Sequence, residues 1–115
     1  MRETDIDRLW DDAVAAAPDS HIITLENETV RVLEVVIPPG VKEPFHTHKN
    51  PSVMVIDSSA SIRYYDAEGN ARKHPRRDVS PEAPYVEFLE PEGLHAVENT
   101  DEVVFHATRI EVKKR

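Results

Sequence analysis

Cysteine is absent from the chain. Disulfides and thiolate metal sites are therefore excluded, and any bound metal must use nitrogen or oxygen donors. Glycine is scarce as well: Gly40, Gly69 and Gly93 stand too far apart to form a glycine-rich phosphate loop. No apolar run approaches the length of a membrane-spanning helix. The opening residues, MRETDIDRLWDD, are acidic and lack the apolar stretch of a secretory leader, so a cytoplasmic protein is expected. Basic residues are outnumbered 14 to 22, and the net charge of −8 argues against nucleic acid and membrane surfaces as partners. The basic end, Lys113, Lys114 and Arg115, is too short to reverse that and reads as a solvated terminus. A G-x-S-x-G nucleophile elbow is also missing.

What is present suits one domain with a single core: 115 residues, 39% of them apolar and 31% charged. Residues 1–20 are expected to be an N-terminal helical segment and residues 21–115 a β domain. Thr4 to Ala17 carries the helical signal, with Thr4 as cap and Ile6, Leu9, Trp10, Ala13, Val14 and Ala17 on one stripe. Trp10 packs on the body or covers a partner surface. From His21 the period changes. Strands are expected at Ile22–Leu25, Val30–Ile37, Val53–Asp57, Ser61–Tyr65, from Ala71, at Tyr85–Leu89 and at Val103–Val112. Asp66 to Asn70 reads as a hairpin loop and Lys73 to Pro84, with three prolines, as irregular. Short strands with turn signals about every ten residues predict an all-β sandwich or barrel.

The chemistry gathers at His46 and His48. A strand sends alternate side chains to one face, so these two imidazoles stand side by side and can share a metal ion. His95, in PEGLHAVEN, is the expected third ligand. Three neutral imidazoles suit a divalent Fe, Zn, Mn or Ni ion and leave positions open.

These residues carry a family resemblance. Gly40-x5-His46-x-His48-x3-Ser52 resembles the first motif of the cupin superfamily, G-x5-H-x-H-x3,4-E. Pro91-x-Gly93-x-His95-x3-Asn99 resembles its second, P-x-G-x2-H-x3-N. The resemblance implies a jelly-roll β-barrel with one N-terminal helix, a metal held inside by His46, His48 and His95, and a homodimer. Two departures stand out: Ser52 occupies the glutamate position, and the turn before His95 is one residue short. Without the glutamate a divalent ion keeps its full formal charge, which favours an anionic oxygen ligand such as a small carboxylate. EPFHTHKNPSVMVI, RYYDAEGN and EPEGLHAVEN also resemble small bacterial cupins labelled as β-alanine degradation proteins.

Other residues have the character of pocket lining. Ser52, Met54 and His106 are its expected lining, Ser52 as a hydrogen-bonding group and His106 as a proton carrier if β alternation turns it inward. Ile56, Phe45, Tyr64, Tyr65, Tyr85 and Phe88 line it or pack the core. Arg63 is a carboxylate clamp only if its strand face meets the cavity. Glu43 has the wrong parity for the His46 face but could enter from the loop as a stand-in acid. His21 and His74 are expected in solvent, and Asn99 is expected to hold a turn. Three functions compete: a metal-dependent enzyme, such as a dioxygenase acting on a small acid; a non-catalytic module binding a metal or small ligand; and a structural dimer.

Overall fold

A computed structural model describes residues 11–72 and 82–113. Among the described residues nine strands form two sheets: β1 (His21–Glu26), β2 (Val30–Ile37), β3 (His46–His48), β4 (Ser52–Ser58), β5 (Ile62–Tyr65), β6 (Ala71–Arg72), β7 (Tyr85–Leu89), β8 (Glu92–Asn99) and β9 (Phe105–Val112). One sheet has the order β1-β2-β9-β4-β7 and the other β3-β8-β5-β6. All pairs within them are antiparallel. The expected all-β jelly-roll architecture is observed, although the sheets are not hydrogen-bonded into a closed barrel.

The strands form where β-branched residues cluster. Val30–Ile37 alternates so that Leu33, Val35 and Ile37 are buried. With Met54, Ile56, Leu89, Phe105 and Ala107 they make the core, against which Ile62 and Val97 of the second sheet pack. Each large aliphatic side chain buried there contributes about 1.5–3 kcal/mol. Polar side chains fix the turns. Asn27 accepts from the Thr29 and Val30 amides, and Asp66 from those of Glu68 and Asn70. Gly69, at φ +84°, supplies the left-handed residue that this hairpin needs. Asn99, as expected, holds the β8–β9 turn: its amide donates to the Ile37 and Val103 carbonyls and its oxygen accepts from the Asp101 amide.

The helix departs from expectation. Among the described residues it is a single turn, α1 (Ala13–Ala16), capped by Asp12. Asp12 has ψ 144°, which breaks any helix running through it from Thr4. Its carboxylate accepts from the Val14 amide and grips Arg31 with both oxygens, and its backbone bridges to Thr47. Tertiary contacts at Asp12 thus override the helical stripe. Residues 4–10, Trp10 included, lie outside the described residues, as do His74, most of the 73–84 loop, Lys114 and Arg115. Lys113 bonds Glu26 at 2.7 Å. No helix among the described residues is long and apolar enough to cross a membrane.

Gly93 differs too. Instead of preceding the strand in a turn, it lies within β8, at an irregularity in the ladder with β3. His46 pairs with His95 but His48 pairs with Glu92, so β8 carries an extra residue there. Glycine in a strand commonly marks such a bulge.

Candidate metal centre

The short strand β3, the bulged start of β8 and the start of β1 gather four histidines into one cluster, in which His48 joins two overlapping donor sets; the expected triad His46, His48 and His95 is not itself one of these sets. The cross-strand pair His46 and His95 has ring centroids 4.5 Å apart. His48 lies 5.0 Å from His46 and 5.5 Å from His95. His21, expected in solvent, is instead buried, 4.7 Å from His46 and 5.4 Å from His48. Two sets of donor atoms each fall mutually within 4.8 Å: His21, His46 and His48; and His48, Glu92 and His95.

Each ring is held by its Nδ1. His46 donates to the Pro44 carbonyl at 2.8 Å and His95 to the Gly93 carbonyl at 2.7 Å. His48 donates to Glu111 Oε2 at 3.1 Å. His21 Nδ1 lies 3.0 Å from Ser20 Oγ and 3.3 Å from the Ala17 carbonyl. An anchored Nδ1–H leaves Nε2 with a free lone pair, which is how protein scaffolds orient imidazoles toward a metal. The donor set and this orientation fit a metal ion. The best single sign is His48 Nε2, fully buried with no hydrogen-bond partner, a state that costs about 1–3 kcal/mol if nothing engages it.

Two carboxylates adjoin the rings. Glu43 enters from the loop before β3, its Oε2 receiving the Ser20 hydroxyl at 2.8 Å while Oε1 stands 3.6 Å from His46 Nε2. Glu92 Oε2 stands 3.4 Å from His95 Nε2. Both separations are long for hydrogen bonds. They approach the roughly 3.0–3.4 Å expected between two donors that share one ion at about 2.1 Å.

Burial sets the protonation of the cluster. It lowers His21 to about 4, with the Arg109 charge adding to the effect. Burial also drives His46 and His48 well below the ordinary imidazole value, aided by His95 beside His46 and by Arg109 near His48. His95 is lowered for the same reason, although Glu92 pulls the other way. All four rings are therefore neutral near pH 7, as ligation requires. Burial raises Glu43 to about 7, against the opposing Ser20 hydrogen bond.

A cavity of about 470 Å³ opens beside the cluster. Its apolar wall includes Val35, Ile37, Met54, Ile56 and Phe105. Tyr64, stacked on His95 at 5.3 Å, and Arg109 line the polar side. Arg109 is only 4% exposed. It donates through Nε to Ser52 Oγ at 3.0 Å and through Nη2 to Glu92 Oε1 at 2.8 Å. Its Nη1 has no protein acceptor among the described residues.

Of the expected pocket residues, Met54 lines the cavity. Ser52 is fully buried, and its hydroxyl holds Arg109 rather than facing a ligand. His106 is a correction. On β9 the buried residues are Phe105, Ala107, Arg109 and Glu111, so His106 stands on the opposite face, between Glu34 at 3.0 Å and Asp57. Those hydrogen bonds, Glu34 first, raise its pKa. Arg63 is exposed beside Glu98, and Phe88 is exposed as well.

His21, Glu92, Arg109 and Glu111 were not foreseen. The signal for Arg109 and Glu111 was their shared parity with Phe105 and Ala107, hidden because the outward positions Thr108 and Ile110 look as buriable as the inward ones. The bulge in β8 hid Glu92, since it puts residues three apart on the same side.

No family model matches the sequence, and no curated protein sequence does either. Solved structures do. A cupin domain from Bordetella pertussis Tohama I has TM-score 0.64 at 23% identity, covering 82% of this chain and 92% of that one. An uncharacterized conserved protein with a double-stranded β-helix domain, from Klebsiella pneumoniae, has TM-score 0.53 at 14% identity, covering 100% and 96%. A cupin superfamily protein from Desulfitobacterium hafniense has TM-score 0.54 at 9% identity, covering 82% and 76%. This is a mostly-β protein with a histidine and glutamate cluster that could hold a metal. Its fold is the cupin fold, the double-stranded β-helix.

Proposed function

We propose that the cluster holds a divalent metal ion and that the cavity beside it takes a small carboxylate-bearing metabolite. The observation that carries this reading is Arg109: a buried guanidinium, its Nη1 without an acceptor among the described residues, lining a cavity that the imidazole cluster also lines. Glu92 already pairs with Nη2 of Arg109, and the planar guanidinium fork can match a second carboxylate from the cavity side. The volume lies within the usual range for small-ligand sites, about 300–1,000 Å³. The apolar wall would take the remainder of the ligand.

His46, His48 and His95 would hold the ion. When bound, a divalent metal supplies Lewis-acid polarisation of a substrate oxygen or, if it is iron, redox chemistry with O2. Arg109 would orient the carboxylate, Tyr64 would pack beside it, and Ser52 would keep Arg109 in place. β-Alanine belongs to this ligand class, but its part in the function rests on the sequence resemblance alone. A non-catalytic binding module is the second reading, favoured by Ser52 standing where the resemblance expects a glutamate ligand.

The test is calorimetric titration of metal-loaded protein with propionate, β-alanine and succinate, beside the uncharged amide of propionate. Carboxylates should bind and the amide should not. Arg109→Gln should weaken carboxylate binding about tenfold or more. Equal binding of acid and amide, or no effect of Arg109→Gln, would remove the carboxylate reading. Product formation from a bound acid separates the enzyme from the module.

A further inference from the structure

We propose that His21 is a fourth metal-coordinating imidazole, taking over the coordination that Ser52 does not provide. This rests on the metal reading above and adds a residue from outside both histidine motifs.

Position comes first. His21 opens β1, whose backbone runs beside β2 on the far edge of the larger sheet. All other residues of β1 are exposed, whereas His21 is turned inward and buried. Its donor atom lies within 4.8 Å of those of His46 and His48.

Orientation is the second point. Ser20 Oγ and the Ala17 carbonyl hold Nδ1, and Nε2 has no protein partner among the described residues. Thus His21 repeats the scheme of His46, His48 and His95, each anchored at Nδ1. The buried, unpartnered Nε2 of His48 belongs to the same donor set. A histidine kept only for packing would not need a ring nitrogen beside the donor atoms of His46 and His48.

The competing donor is Glu92, which with His48 and His95 forms the other set. His48 has one free nitrogen, so the two sets cannot bind separate ions. Glu92 Oε1 already receives Arg109 Nη2 at 2.8 Å, and Tyr64 donates to Oε2 at 3.4 Å. Taking Glu92 into the coordination shell would weaken that grip on a buried cation, whereas recruiting His21 through Nε2 leaves its Nδ1 contacts with Ser20 and Ala17 in place. Ser52 is likewise occupied by Arg109. Four neutral imidazoles leave the ion its full formal charge. They favour zinc, cobalt, nickel or ferrous iron over magnesium or calcium, which prefer oxygen donors.

The experiment uses the full chain, stripped by a chelator and reloaded with one equivalent of cobalt(II) or zinc(II). X-ray absorption of the loaded wild type counts imidazole ligands directly, and four are expected. Competition with a chromogenic chelator should show zinc affinity falling about tenfold or more in His21→Ala. His106→Ala, on the far face, should leave it unchanged. Three imidazoles in the wild type, or zinc affinity within about twofold in a folded His21→Ala protein, overturns the role of His21 and leaves the metal reading standing. Failure of the wild type to take up either ion overturns both. If His21→Ala does not fold, the wild-type ligand count alone decides.

Discussion

Replacing Glu111 with glutamine removes one charge at nearly constant shape, at a place where fold and site share a side chain. Glu111 is 1% exposed. Its Oε1 accepts from Arg31 Nε, and its Oε2 accepts from His48 Nδ1 at 3.1 Å. At an effective dielectric near 20, unit charges about 4 Å apart attract by about 4 kcal/mol. Two effects reduce the loss: glutamine needs no ionic desolvation, and Asp12 keeps Nη1 and Nη2 of Arg31 at 3.0 and 2.9 Å. We expect Glu111→Gln to destabilise the metal-free protein by about 2–3 kcal/mol. A second effect falls on the ring. Glutamine has one acceptor oxygen where two donors wait, so its amide NH2 must face either Arg31 or His48. The His48 tautomer is then no longer enforced, and zinc affinity should fall about 10–100-fold. Urea unfolding followed by circular dichroism reads the first effect, and chelator competition reads the second. Adding Arg31→Gln completes a double-mutant cycle, with an expected coupling above about 1 kcal/mol. A loss under about 0.5 kcal/mol with no coupling would refute the electrostatic argument. Unchanged zinc affinity would refute the link from Glu111 to the metal.

Two further predictions concern pH. In metal-free protein, His21, His46 and His48 stay neutral well below the usual imidazole value, with His21 at about 4, while the unfolded chain takes up their protons near 6.5. Glu43, at about 7 in the fold and 4.5 otherwise, binds one proton in the opposite sense. His95, lowered as well, adds in the same direction, so the unfolded state holds at least about two more protons between pH 6.5 and 4.5, and stability should fall by roughly 3 kcal/mol or more per pH unit on acidification. Urea midpoints measured across that range should drop steeply, and a flat profile would mean that the folded cluster accepts protons. His106 has the other sign. Glu34 and Asp57 raise its pKa, so its stabilisation is complete below about 6.5 and disappears as pH rises through the raised value. His106→Gln should cost under about 1 kcal/mol at pH 6, because the cluster is partly exposed, and nothing at pH 9. An equal cost at both pH values would show that the charge plays no part.

The sequence alone determined the β architecture, because β-branched runs and turn residues act locally: Val30–Ile37 and Tyr85–Leu89 are strands to the residue, and Asp66 to Asn70 is the hairpin loop. It also singled out His46 and His48, since spacing along a strand fixes which side chains can be neighbours, and His95 through the motif it shares with the family the sequence resembles. It misplaced what depends on strand parity and long-range contact. His106 and Arg109 differ by three on one strand, and only the packing of β9 against β2 and β4 decides which faces inward. Asp12 caps the start of a single helical turn instead of lying inside a longer helix, and Arg31, distant in sequence, holds its carboxylate there. His21 reaches the cluster because β1 docks along the edge of β2, a pairing that no local pattern around His21 announces. Sheet order and a one-residue bulge thus chose the members of the site, because each moves whole sets of side chains from one face to the other.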